Sequence, residues 1–125
     1  MYQWTKERLI ERGYIIKNAQ ITNVSLNMEN HGCLCLDLTI EWDGCDCVYG
    51  GYCLGKGYVG TDDDFFSGYE KGTEAIMRIM DTVGQSDLLN LKGQYIRIAY
   101  KGIGNPVEII GNIIQDKWFN YKCML

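Results

Sequence analysis

The sequence predicts an α+β fold: an antiparallel sheet of about five strands, one long helix packed on it, and a short N-terminal helix. Three observations carry this reading. Cys33 to Trp42 alternates, with Leu34, Leu36, Leu38, Ile40 and Trp42 on one face and Cys33, Cys35, Asp37, Thr39 and Glu41 on the other, the period of a half-buried strand. Asp43-Gly44 follows at once, a hairpin signal. Ala75, Ile76, Ile79, Met80 and Val83 recur at the spacing of one helix face. The chain has 125 residues, 46% apolar and 22% charged, which suits a single domain over 1–125.

Each element has its own signal. Thr5 to Arg12 is a short helix, capped by Thr5 and ended at Gly13, with Trp4, Leu9 and Ile10 toward the core. Tyr14 to Met28 is extended and imperfectly alternating, with a bulge near Asn23. Glu29-Asn30-His31-Gly32 is a turn, and Cys45 to Leu54 is the return strand after Cys33 to Trp42. Ser67 and Glu70 match a capping box, so the long helix runs from about Gly68 to Val83 and ends at Gly84. Ser86 to Leu91 is a short second helix capped by Ser86. Gln94 to Lys101 is a strand, and Val107 to Trp118 is a final strand kinked at Gly111.

Composition narrows the function classes. Sixteen acidic against twelve basic residues give a net charge of −4, which argues against a general affinity for nucleic acid or an anionic membrane. Met1 to Arg12 lacks an apolar signal region, and the longest apolar runs are only a few residues. These features predict a cytoplasmic protein whose cysteines stay reduced. The six are Cys33, Cys35, Cys45, Cys47, Cys53 and Cys123. Two C-x-C doublets on paired strands would bring four sulfurs together, with His31 as a further ligand. That spacing spreads the sulfurs of one doublet by about 7 Å, too wide for one tetrahedral ion, so small core thiols are expected instead of a metal.

No Walker lysine motif, G-x-S-x-G or H-E-x-x-H occurs. Asp62-Asp63-Asp64 reads as a solvated acidic loop, and no carboxylate pair stands out as acid and base, so no catalytic residues and no cofactor are expected. The most informative stretch is Tyr49 to Gly60, where five glycines and three tyrosines surround Lys56. Glycine lets a ligand approach the backbone, tyrosine offers a stacking face and lysine a phosphate contact. The predicted ligand-binding set is Gly50, Gly51, Tyr52, Gly55, Lys56, Tyr58, Lys71, Arg78, Lys117 and Trp118. The competing reading makes Gly50-Gly51 a strand bulge and Gly55 to Gly60 a wide turn.

Several segments resemble a family of small hypothetical proteins from bacteriophages and prophages. They are Ile21 to Met28, His31 to Leu34, Gly50 to Tyr58, Lys71 to Asp81, Leu91 to Arg97 and Ile110 to Trp118. The C-x-C doublets and Asp62 to Asp64 lie outside that pattern. The resemblance implies a counter-defence protein acting in the cytoplasm of an infected bacterium. The reading that follows is a sponge, often homo-oligomeric, which sequesters a nucleotide-derived immune signal of the Thoeris or CBASS type without turnover. An alternative is an acidic protein that inhibits a host defence protein through its surface, in the manner of anti-CRISPR proteins. A phosphodiesterase or nucleotide hydrolase is the third class. Phe65, Phe66 and the Trp118-Phe119 end, if exposed, would supply the self-association surface; the alternative is that they close the core.

Overall fold

The computed structural model describes residues 3–58 and 65–124. Its elements are α1 (Lys6–Glu11), β1 (Ile15–Asn30), β2 (Cys33–Trp42), β3 (Cys45–Tyr58), β4 (Phe65–Gly68), α2 (Glu70–Val83), β5 (Tyr95–Tyr100), β6 (Val107–Asn112) and β7 (Trp118–Phe119), with single 3-10 turns at Leu88–Leu91 and Tyr121–Met124. The strands form one antiparallel sheet in the order β4-β3-β2-β1-β5-β6-β7, curled into a half-barrel.

The fold is therefore mostly β, which corrects the α+β expectation of about five strands with one long helix. Two segments account for the difference. Ser67 caps nothing: Phe65–Gly68 pairs with β3, and α2 begins after Tyr69, whose backbone N–H donates to the Leu54 carbonyl at 2.8 Å. The stretch expected as one final strand is a hairpin. The Asn112 side-chain oxygen accepts from the N–H groups of Ile114 and Gln115, which turns the chain and returns β7 against β6. A side chain at Gly111 would overlap the Trp118 ring, so glycine lets the ring lie on the strand. The cap of the Leu88–Leu91 turn is Asp87, not Ser86.

Other expectations hold. The Thr5 hydroxyl accepts from the Arg8 N–H and α1 gives way at Gly13, with φ of +86°. β2 spans Cys33–Trp42, and the pairs His31-Gly32 and Asp43-Gly44 turn with positive φ. β1 breaks register between Ile21 and Asn23. α2 ends at left-handed Gly84.

The two sheet faces carry different layers. On the inner face Leu36, Leu38, Ile40, Tyr49, Ile96, Ile98 and Ile110 meet Ala75, Ile79 and Val83 of α2. On the outer face α1 closes a smaller cluster of Leu9, Ala99 and Ile109, flanked by Trp4, Tyr14, Ile16 and Trp118. Gly72 sets the seat of α2. A Cβ there would stand 2.5 Å from the Cys53 carbonyl oxygen and 2.8 Å from the Leu54 Cα, so the helix rests directly on the β3 backbone.

Candidate functional site

The glycines of β3 serve the sheet. Gly50 and Gly51 form a bulge opposite Leu36 and Asp37, with φ of +115° and +69°, and a Cβ at Gly50 would meet the Leu36 carbonyl oxygen at 2.6 Å. A Cβ at Gly55 would stand 2.5 Å from the Ser67 carbonyl oxygen across the β3–β4 pair. At Gly50 and Gly55 the side-chain direction is filled by neighbouring backbone, the steric demand of a bulge and of a close strand pair.

Tyr52 is committed as well. Its ring stacks on Tyr121 at 4.1 Å and meets Tyr49 and Phe119 edge-on. Burial raises its hydroxyl pKa, and burial raises that of Tyr49 still more. Lys56 pairs with Cys33 and Ser67 and so sits on the outer face. Tyr58 ends β3, and its side chain lies outside the described residues, as does Asp62-Asp63-Asp64. Lys71 is exposed on the first turn of α2. Phe65 and Phe66 are 49% and 67% exposed on the edge strand β4.

The remaining predicted residues do come together. Arg78, Lys117 and Trp118 line a cleft of about 300 Å³ between the start of α1, the middle of α2 and the C-terminal segment. Trp4, Asp81, Asp116 and Cys123 complete its walls. Trp118 lies over Gly111, carries the Arg97 guanidinium 4.6 Å from its ring centroid, and donates its Nε1 to Asp116 Oδ1 at 2.6 Å. The same carboxylate oxygen accepts from the backbone N–H of Lys6 at 2.7 Å, which ties α1 to the β6–β7 turn. Trp4 donates its Nε1 to Cys123 Sγ at 3.4 Å.

Neither a family model, a curated protein nor a solved structure matches this chain.

The charges of the cleft are arranged in pairs. Lys117 Nζ meets Asp81 Oδ1 at 2.9 Å, and Arg78 Nε donates to Glu74 Oε2 at 2.7 Å. That hydrogen bond holds the Glu74 carboxyl below the ordinary glutamate range. Both carboxylates on the cleft wall are engaged, Asp116 by two donors and Asp81 by Lys117. Glu74 accepts from the Nε of Arg78, and among the described residues no hydrogen bond engages the two terminal guanidinium nitrogens. A second, wider groove of about 770 Å³ runs between the end of α2 and residues 112–117, with Lys117 on the boundary of the two.

Sequence reasoning placed Trp4 in the core and did not select Asp81, Asp116 or Cys123. Asp81 stands one turn after Arg78 on α2, a spacing that shares a helix face. Asp116 and Cys123 carry no local signal, because their place depends on the β6–β7 hairpin. Among the described residues no cluster of three His, Cys, Asp or Glu side chains could hold a metal ion, and no helix is long and apolar enough to cross a membrane. The C-x-C doublets diverge: Cys33 and Cys35 share the outer face with Asp37, while Cys45 and Cys47 pair with Trp42 and Ile40 toward the inner face.

Proposed function

We propose that this chain is a binding protein that sequesters a nucleotide-type small molecule in the cleft between α1, α2 and the C-terminal segment, without turnover. The observation that carries the reading is that two cations, Arg78 of α2 and Lys117 of the C-terminal segment, line one concave site. A phosphate takes a guanidinium fork in two hydrogen bonds. A volume of about 300 Å³ stands at the small end of ligand pockets, which favours a mononucleotide-sized part of the ligand over a large one. The resemblance to phage proteins supports a nucleotide immune signal as the natural ligand and the infected bacterial cytoplasm as its place. Lys117 takes part by exchanging Asp81 for phosphate.

The test is titration with a panel of cyclic dinucleotides and cyclic ADP-ribose isomers, followed by tryptophan fluorescence and native mass spectrometry. Quenching with stoichiometric adduct is expected. Arg78→Gln removes a charge-assisted contact worth about 1.5–3 kcal/mol and weakens binding roughly ten- to a hundredfold. Lys56→Gln, on the outer face of β3, leaves affinity unchanged. Absence of binding across the panel, or an equal loss with Lys56→Gln, overturns the assignment to this cleft.

A further inference from the structure

Three thiols meet on the outer face of the β2–β3 hairpin, away from the cleft. Cys35 lies directly opposite Cys53 in the strand register. Residues so placed on antiparallel strands have Cα atoms about 4.5–5.5 Å apart, inside the 4.4–6.8 Å range that a disulfide spans. Cys33 is two residues along on the same face. The Cys53 Sγ also donates to the Gly55 carbonyl oxygen at 3.2 Å, which holds the thiol over the hairpin. All three are free, and so are the remaining three, which stand elsewhere: Cys45 and Cys47 turn to the inner side, and Cys123 accepts from Trp4.

We propose that Cys53 and the β2 thiols Cys33 and Cys35 form a two-electron thiol–disulfide couple, a redox-modification site whose co-reactant is a low-molecular-weight disulfide such as oxidised glutathione. One protein thiolate attacks a sulfur of the glutathione disulfide and expels a glutathione thiolate, leaving a mixed disulfide on the protein. A second protein thiolate attacks the protein sulfur of that mixed disulfide and expels the second glutathione. Two electrons pass from the protein to the glutathione pair, one sulfur–sulfur bond breaks for each that forms, and the two thiol protons end on the released glutathione. Cys53 is common to both possible closures. Cys33 is more accessible than buried Cys35 and first meets the oxidant. The neighbouring Cys53 thiol, then burial, raise the Cys33 pKa, while nearby Lys56 lowers it, and burial raises Cys35. The exchange therefore quickens as pH rises, as the thiolate fraction grows.

The bridge would bear on the rest of the fold through one contact. Cys53 and Leu54 form the second β3 bulge, and on it rest Gly72 and the Tyr69 N–H of the α2 start. Closing a disulfide there fixes the seat of α2.

The experiment is incubation of the reduced protein with oxidised glutathione, read by intact mass, free-thiol count and peptide mapping. The expected product has lost two hydrogens and two of its six thiols. It contains Cys53 in a bridge to Cys33 or Cys35, melts at a higher temperature, and reverts with dithiothreitol. Cys53→Ser forms no intramolecular bridge, whereas Cys123→Ser still does. A full thiol count after oxidation, a persistent single-glutathione adduct, or a mapped bridge lacking Cys53 overturns the proposal. Mapping of the unaltered protein decides the matter if the serine variant fails to fold.

Discussion

Gly72→Ala tests whether α2 truly rests on the β3 backbone. On an exposed helix this change stabilises by about 1 kcal/mol, since alanine is the better helix former. Here the new Cβ would stand 2.5 Å from the Cys53 carbonyl oxygen and 2.9 Å from a Leu54 methyl. The methyl can turn aside, but the carbonyl belongs to a paired strand and cannot. The helix must withdraw by about 1 Å, and a gap of that size forfeits roughly a quarter to a half of the dispersion attraction across it. The side chains that lose contact are Leu54, Ala75 and Ile79, all at most 7% exposed. With roughly 1.5–3 kcal/mol for each of the two large side chains, Leu54 and Ile79, a quarter to a half of the total comes to about 1–3 kcal/mol, set against about 1 kcal/mol of helix propensity. A net destabilisation of about 1 kcal/mol, the middle of that range, is expected. For a domain of this size that lowers the melting temperature by roughly 3–5 °C, readable by circular dichroism and urea titration. Gly68→Ala is the control: no atom lies within 4 Å of its Cβ, and the melting temperature should hardly move. A Gly72→Ala protein as stable as the parent, or more stable, refutes the close seating of the helix.

Two further predictions concern single side chains. Asn112 donates from Nδ2 to the Thr82 and Val83 carbonyls at the end of α2 while its Oδ1 accepts from Ile114 and Gln115. Asn112→Asp keeps the turn bonds and loses the helix bonds, and Asn112→Ala loses both; a urea midpoint series should rank them parent, Asp, Ala, with about 1–3 kcal/mol lost at the bottom. Burial, then the hydrogen bond with Glu108 at 2.6 Å, push the Tyr14 pKa up to about 12 from its ordinary 10. The stability this gives is complete below pH 10 and declines between pH 10 and 12, where the unfolded chain releases the proton first. Tyr14→Phe should flatten the denaturation midpoint over that window, and an unchanged alkaline slope would contradict it.

Period-2 alternation made β2 legible to the residue, and cap and turn chemistry did the same for α1, the two hairpin turns and the end of α2. These signals are local. The expected layout failed where a long-range partner decides. Ser67 and Glu70 satisfy the capping spacing, yet Ser67 lies opposite Lys56 in a strand pair, and pairing to β3 prevails. Val107 to Trp118 is apolar enough for one strand, but the Asn112 side chain turns the chain back. The candidate site shows the same division. Arg78, Lys117 and Trp118 were chosen for their chemistry and do line one cleft. Gly50, Gly51, Tyr52 and Gly55 were chosen for the same chemistry and serve the sheet. A glycine that admits a phosphate and one that admits a neighbouring carbonyl answer the same steric demand. Composition cannot tell them apart; the φ of +115° at Gly50 and its 2.6 Å approach to Leu36 can.

The charge pairing of the cleft also sets what the proposed ligand must do. Lys117 and Asp81 are 40% and 70% exposed along their side chains, and Arg78 and Glu74 are 40% and 39%. Ion pairs that wet are worth about 0.2–1 kcal/mol, so exchanging a carboxylate for a phosphate on either cation costs little. The pairs keep the cleft close to neutral and hold the two cations in place, which lowers the entropy lost when an anion arrives. Asp116 behaves differently. Its one oxygen takes both the Trp118 indole and the Lys6 backbone N–H, so removing it would free the aromatic wall and the start of α1 together. The cleft thus joins exchangeable charge pairs to a wall fixed by hydrogen bonds.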